Sequence, residues 1–304
     1  MSVRFRKWLR QLDLLRAKWG GFDVIVLERE LFNDASSDFE AAFRETTPRF
    51  VLDVDDAIFM RYPEKFAIVA GFSDLVIAGN GSLAAEAQRY CQKVAVVPTV
   101  IDLDRYPFKV DRQATRMAPL VIGWTGSREN LSSLELLRSP LERLARRHDF
   151  EWHVVTNPEG VRDIPQFAGV TTRSIPWSAT SEIEVLQQFD IGVMPLRDEP
   201  WARYKCGFKL IQYMAIGAAA VASPIGVNTE ISDHGHAALL ATTPEEWESQ
   251  IERLLSSAKL RTDLTSRARQ RVAEHYSLQA CFPAWQRAVL GEGQNSGCGL
   301  VRER

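Results

Sequence analysis

The stretch that decides the fold is DIGVMPLRDEPWARYKCGFKLIQYMAIGAAAVASPIGVNTEI, Asp190 to Ile231. A short apolar run ends at Met194, a loop carrying Pro195 and Pro200 follows, and the spacing predicts a helix opening near Gly207 and running from Phe208 to Ile216. Lys205 and Lys209 stand at the mouth of that helix. A strand leading through a loop into a helix turns free backbone N–H groups and the positive end of the helix dipole out of the carboxyl edge of a sheet, and the two lysines add full charges. This is a place to hold a diphosphate without a metal ion. Lys209 and Gln212 are three residues apart and share a helix face, so Gln212 can bond a ribose or sugar hydroxyl beside the phosphates. Gly217 then reads as the residue that ends the helix before the strand Ala218 to Ala222. A second loop, Ser223 to Asn228, leads to Glu230 and offers further backbone donors at the same edge.

Working outward, short β-branched runs alternate with helical patterns along the chain. Asp23–Leu27, Arg49–Leu52, Asp74–Ile77 and Val94–Val97 read as strands of a first small sheet. A polar stretch, Lys109 to Met117, precedes a restart. There the strand Leu120–Trp124, a helix around Leu131–Arg147, the strand Glu151–Thr156, the helix Glu182–Gln188 and the strand Ile191–Met194 follow in turn. Strands alternating with helices mean an α/β chain with a doubly wound parallel sheet, and the restart marks a domain boundary. The expected division is residues 1–110, residues 118–290, and a flexible tail over 291–304. The length of 304 residues suits two domains, and 45% hydrophobic with 25% charged residues is a globular composition. A formal net charge of -2 argues against a nucleic-acid-binding surface as the main feature. No window is apolar enough to span a membrane, which reads as a cytoplasmic protein, and Cys91, Cys206, Cys281 and Cys298 form no CxxC pair.

The segment KCGFKLIQYMAIGAAAVASPIGVNTEI resembles the signature region of family 4 glycosyltransferases of the GT-B fold, and VIGWTGSREN, EISDHGHAALLATTPEEW and RARQRVAEHYSLQACFPAWQRAVL fall where that family has its corresponding segments. The resemblance spans nearly all of Leu120 to Leu290, and it implies the GT-B architecture of two Rossmann-like, doubly wound parallel-sheet domains facing a cleft. It implies transfer of a sugar from a nucleoside diphosphate donor to an acceptor hydroxyl with retention, without a cofactor or metal, the nucleotide sugar being a co-substrate. Lys205, Lys209 and Gln212 would do the catalytic work. Gly126, Ser127, Arg128, Gly207, Phe208, Gly226, Val227, Asn228 and Glu230 would bind the donor. The leaving phosphate oxygen itself would take the acceptor's proton. Many members carry two glutamates eight positions apart around this helix, where this chain has Tyr204 and Gln212. The first domain is expected to be shortened, because the chain begins on a basic helical stretch and not on a strand with a Gly-rich turn. A GT-B relic that binds a nucleotide sugar, or partners an active enzyme, without turnover is the alternative.

Other stretches carry two readings each. In SVRFRKWLRQLDLLRAKWG, the apolar residues Val3, Phe5, Trp8, Leu9, Leu12 and Leu15 cover the sheet in the simpler reading. In the sharper one, Arg4, Arg6, Lys7, Arg10, Arg16 and Lys18 beside Trp8 and Trp19 rest on the anionic inner face of a membrane and reach a lipid-linked or other carbohydrate acceptor. Asp53, Asp55 and Asp56 follow a strand and either cap a helix or orient acceptor hydroxyls. GNGSLA, Gly79 to Ala84, has a G-x-G-x-x-A form with Asp102 downstream. It reads as a structural turn, as an acceptor-side loop through Asn80, or as the fingerprint of an NAD(P)-dependent oxidoreductase. His234 and His236 have no third metal ligand at a suitable spacing. Trp124 and Trp201 are expected in loops at the donor edge.

Overall fold

The computed structural model describes residues 3–109 and 118–291. The polar connection over 110–117, the tail over 292–304 and Cys298 within it lie outside the described residues. The chain forms two compact units: Met1–Pro98 with Tyr204–Cys206 and Cys281–Arg304, and Thr99–Arg203 with Gly207–Ala280.

The first unit runs α1 (Val3–Gly20), β1 (Val24–Glu28), α2 (Asp38–Arg44), β2 (Arg49–Val54), α3 (Pro63–Phe72), β3 (Leu75–Ala78), α4 (Gly81–Ala87) and β4 (Val94–Val96). Its four strands are parallel and lie in the order β1-β2-β3-β4. Alternation along β2 sends Phe50, Leu52 and Val54 into a core shared with Phe66, Val69 and Leu83, and Val51 to the opposite face beside Leu75 and Ile77. That opposite face is closed by Trp285, Ala288 and Val289 from the C-terminal helix. The Arg49 guanidinium ties this helix down by donating to the carbonyls of Val289 (2.6 Å) and Ala288 (2.8 Å).

The second unit runs β5 (Leu120–Thr125), α5 (Arg138–Leu144), β6 (Phe150–Thr156), β7 (Thr171–Pro176), α6 (Glu182–Leu186), β8 (Ile191–Met194), α7 (Phe208–Ile216), β9 (Ala219–Ala222), α8 (Asn228–Ile231), β10 (Leu239–Leu240), α9 (Pro244–Ser256) and α10 (Ala258–His275), and the chain then enters α11 (Leu278–Leu290). Its six strands are parallel in the order β10-β9-β8-β5-β6-β7. The strand order reverses between β5 and β8, and a parallel sheet opens a crevice at the carboxyl ends of the strands at such a point. β8 and β9 are buried along their whole length, as strands covered on both faces must be.

Three expectations need correction. The units divide at Pro98 and Thr99, not within 110–118: Ile101 bonds to Tyr276 and Ser277 lies beside it, and the Lys109 ammonium pairs with the Asp190 carboxylate at 2.7 Å, all inside the second unit. The chain from Cys281 onward rejoins the first unit because its apolar face covers the bare side of the four-stranded sheet. The helix expected around Leu131–Arg147 is a 3-10 stretch over Arg128–Leu137 followed by α5. Pro140 has no N–H to give, so an α-helix is tolerated only with Pro140 in its first turn.

Candidate functional site

The reversal of strand order puts the end of β5, Thr125, and the loop beginning at Gly126 at the crevice of the second unit. α7 packs under it. Tyr213 on α7 lies against Gly192 of β8, where a Cβ would stand 2.7 Å from the Tyr213 ring carbon Cδ2. The ring is fully buried, and its hydroxyl accepts the backbone N–H of Thr125 at 2.9 Å. Burial pushes the Tyr213 phenol well above the usual tyrosine range, so it stays protonated. The end of β5 is thereby held by a helix 88 residues further along the chain.

The first turn of α7 meets the same loop. The Lys209 ammonium lies 4.6 Å from the centre of the Trp124 ring, an attraction worth about 0.5–2 kcal/mol in such a setting. Gly126 must lack a side chain, because a Cβ there would collide with the Lys209 ammonium and stand 2.6 Å from Trp124 Cη2. Gly207 takes φ +70 as the N-cap of α7, a left-handed conformation in which glycine alone is unstrained. Phe208, the first helical residue, is 41% exposed. Lys209, the Gly126 loop and the N-terminus of α7 thus converge at the crevice, and the positive groups are of the kind that hold an anion.

The neighbouring loops are fixed by bonds of their own. Asn157 accepts the Arg128 N–H at 2.8 Å, Ser127 accepts from Asn130 at 2.7 Å, and the Arg128 guanidinium pairs with Asp163 at 2.5 Å. Beyond β7, the Trp177 indole N–H donates to Glu182 Oε1 at 3.1 Å while its backbone N–H donates to the Thr156 carbonyl at 2.7 Å. Gln212 donates to the same Glu182 oxygen at 3.3 Å and to the Tyr106 hydroxyl at 3.0 Å. Burial raises the pKa of Tyr106, against the lowering effect of the Gln212 bond. Gln212 is 2% exposed, so its amide is already engaged between Tyr106 and Glu182. Sequence reasoning missed Glu182 and Trp177 at this place, and their five-residue spacing gives no sign of the contact with α7.

The second loop behaves differently from the expected row of free donors. The Asn228 N–H is given to the Ile225 carbonyl, Ile225 N–H to Ser223, and the Asn228 side chain to the Ser223 carbonyl at 3.0 Å. Gly226, at φ +59, sits where a Cβ would meet the Arg203 carbonyl at 3.0 Å. Asn228 is 1% exposed and holds the loop through its Ser223 bond, whereas Glu230 is exposed and Val227 is the residue before the short α8. Trp124 lies inside β5 and is buried, not in a loop, because the strand extends one residue past it to Thr125. Trp201 lies in the 3-10 turn Pro200–Tyr204.

In the first unit, Asp53 is the last but one residue of β2, and its carboxylate accepts the Trp285 indole N–H at 3.2 Å. Burial raises its pKa, the Trp285 bond opposes this, and the nearby Asp55 and Glu28 carboxylates add to the rise. Asp55 is gripped by the Arg29 guanidinium through two bonds, one of 2.7 Å to Oδ2, and this pairing raises the Arg29 pKa. Asp56 accepts the N–H of the adjacent Ala57 at 3.0 Å, and the 3-10 turn that follows, Ile58–Met60, has no side-chain cap. Asn80 is 3% exposed: it caps α4 by accepting the Leu83 N–H and donates to the Tyr204 carbonyl at 2.8 Å. It therefore serves as the N-cap of α4. Lys205 belongs to the short run Tyr204–Cys206 that folds with this unit. The strand order of this sheet never reverses, so GNGSLA has no switch-point crevice beside it, and a Cβ on Gly79 would strike Cys206 Sγ. Among the described residues no three His, Cys, Asp or Glu side chains gather as a metal site, His234 and His236 included.

Residues 119–257, a little under half of the chain, match the family model described as glycosyl transferases group 1. Among solved structures the chain is similar to sucrose-phosphate synthase from Thermosynechococcus elongatus, at 15% identity over 94% of this chain and 78% of that one with a TM-score of 0.69. It is similar to a glycosyltransferase from Rickettsia africae ESF-5, at 14% identity over 96% and 83% with a TM-score of 0.70. Anabaena HepE, solved with UDP and glucose, aligns at 12% identity over 94% and 81% with a TM-score of 0.69. Search of curated proteins finds no match. Identities of this size establish the fold, which is GT-B, and the family model agrees with the resemblance carried by the α7 segment.

Proposed function

We propose, from a GT-B chain whose residues 119–257 carry the glycosyl transferases group 1 family, that this protein moves a sugar from a nucleoside diphosphate donor to an acceptor hydroxyl with retention of configuration. The observation that carries the proposal is the meeting of Lys209, the Gly126 loop and the N-terminus of α7 at the point where the strand order reverses. Cleavage of the sugar C1–O bond leaves negative charge on the departing diphosphate. A lysine held on an aromatic face and the amide groups of a helix N-terminus stabilise that charge without reorganising at the moment of reaction. The acceptor oxygen forms its bond to C1 on the face the diphosphate leaves, and the acceptor's proton passes to the departing phosphate oxygen. In this reading the cationic groups neutralise the diphosphate and the reaction proceeds without a metal.

Glu182, its carboxylate placed by Trp177 and Gln212, is positioned to accept from the ribose hydroxyls, and the 41% exposed Trp177 ring gives a surface for the base. Asp53, Asp55, Asp56 and Asn80 are assigned to the acceptor side.

The test is a ligand screen by thermal shift and calorimetry with UDP, GDP, dTDP, ADP, their sugar conjugates and NADPH. One nucleoside diphosphate should raise the melting temperature by mass action. Lys209→Met, which keeps an apolar stem over Trp124, should weaken that affinity about 10–100-fold, the range of a lost charge-assisted hydrogen bond. Product formation with the matching nucleotide sugar separates an enzyme from a binding relic. Stabilisation by NADPH alone, indifferent to Lys209, refutes the proposal.

A further inference from the structure

α1 carries a surface that the transfer chemistry does not use. Phe5, Trp8, Leu12, Leu15 and Trp19 recur at alternating spacings of three and four, and so fall on one side of an 18-residue helix. They are 45%, 51%, 39%, 52% and 88% exposed. Ala17, on the other side, is the buried residue by which the helix rests on its own unit. Phe22, 51% exposed, follows directly after the helix and extends the apolar surface. Phe5, Trp8, Leu12 and Leu15, expected in the simpler reading to cover the sheet, are turned outward, while Leu9 is half-buried.

The charge around the stripe is one-sided. Between Val3 and Gly20 the sequence has Arg4, Arg6, Lys7, Arg10, Arg16 and Lys18 against Asp13 alone. By helix geometry Arg16 and Lys18 lie on the two margins of the stripe, and the Arg16 side chain is 82% exposed. Arg10 and Arg16 both reach Asp13, at 2.9 and 3.9 Å, and Lys7 pairs with Asp34 at 3.6 Å, so two carboxylates stand against the six basic residues.

We propose that α1 is an in-plane anchor for an anionic lipid surface: Trp8, Leu12, Leu15 and Trp19 enter the boundary between headgroups and acyl chains, and the flanking arginines and lysines bind lipid phosphates. A second copy of the chain is the less fitting occupant. Two such helices face to face would bring like charges together along both margins of the stripe, whereas an anionic membrane neutralises them. The helix is also too polar to cross a bilayer, since no helix among the described residues is long and apolar enough for that. The proposal is independent of the nucleotide site.

The experiment uses the whole chain with vesicles of phosphatidylcholine alone and of phosphatidylcholine mixed with phosphatidylglycerol. Co-sedimentation should occur with the mixed vesicles, weaken at high salt, and quench tryptophan fluorescence when the lipids carry bromine. Arg16→Glu with Lys18→Glu should weaken partitioning at least about tenfold, from the contribution of each basic residue near an anionic surface. Trp8→Ser with Trp19→Ser should abolish the quenching. Both variants should keep the wild-type response to nucleoside diphosphates, so failure here and failure of the transferase reading are told apart. Equal binding to both vesicles, or none to either, overturns the proposal. So does a concentration-dependent dimer that the Trp8→Ser/Trp19→Ser variant loses.

Discussion

Tyr213→Phe removes one oxygen from the centre of the second unit and tests how the end of β5 is held. The ring of Tyr213 is fully buried, and its hydroxyl is the acceptor for the Thr125 N–H. Phenylalanine fills the same space against Gly192 but leaves a buried N–H without a partner, a loss of about 1–3 kcal/mol. Urea unfolding at pH 8 should therefore show a lower midpoint with an unchanged slope. The pH dependence supplies a second readout. Burial raises the Tyr213 pKa above its unfolded value of about 10, so the folded chain holds this proton more tightly than the unfolded one. The resulting stability is fully present below about pH 10 and is lost as pH rises toward the folded pKa, at up to about 1.4 kcal/mol per pH unit. The wild type should lose that increment above pH 10 and the variant should not, so the gap between them narrows in alkali. Tyr106 and the other tyrosines titrate in both proteins and cancel from the difference. A variant as stable as wild type at pH 8, or a gap that stays constant to pH 11, refutes the role given to Tyr213.

Two further outcomes concern the first unit. Lys65 and Glu40, 3% and 1% exposed, pair at 2.9 Å through Glu40 Oε1, which also accepts the Leu31 N–H at 3.0 Å, while Glu40 Oε2 has no hydrogen-bond partner. Lys65→Met should cost about 3–5 kcal/mol by stranding the carboxylate, and Glu40→Leu in the same chain should recover most of it. Denaturant midpoints of the single and double variants check this, and a double no better than the single contradicts it. Asp53 has a pKa raised chiefly by burial, so its contribution is full below about pH 4, the unfolded value, and is lost as pH rises through the folded pKa. Asp53→Asn should consequently gain on wild type between about pH 4 and pH 7, measured as the difference in midpoint; a constant difference argues against the burial effect.

The strands of the second unit were legible because burial on both faces leaves continuous apolar runs such as Ile191–Met194 and Ala219–Ala222. β7, TTRSIP, was missed for the opposite reason: it is an edge strand with mostly exposed residues, so its pattern is that of a loop. At the site, Lys209 and Gly207 could be named from sequence because a charge and a glycine at a helix mouth are local requirements, whereas Gly126 was named through the family resemblance of its segment. Asn80, Gln212 and Asn228 looked equally suited to a ligand, yet each is buried: Asn80 and Gln212 are bonded to parts of the chain that the sequence does not place nearby, and Asn228 is bonded to Ser223 within its own loop. The polarity of a side chain is visible in sequence, but the partner that consumes it is not. The same holds for Glu182, whose contact with Gln212 spans 30 residues, and for the Arg49 bonds to α11, which span about 240.

α7 joins packing to function within two turns. Lys209 faces the crevice, Leu210 and Ile211 fill the core, Gln212 meets Glu182, and Tyr213 holds Thr125. A change anywhere on this helix can therefore lower both stability and ligand affinity, and loss of activity alone would not identify the residue that touches the diphosphate. Lys209 and Tyr213 separate the two effects. Lys209 is half-buried and its stem can be kept as methionine, so its removal should act on nucleotide affinity with little change in the unfolding midpoint. Tyr213 is wholly buried, so its change should act first on the midpoint and reach affinity only through the Gly126 loop. If Lys209→Met instead lowers the midpoint as much as Tyr213→Phe while nucleotide affinity stays unchanged, the lysine is a packing residue on Trp124 and the phosphate site must lie elsewhere on the sheet edge.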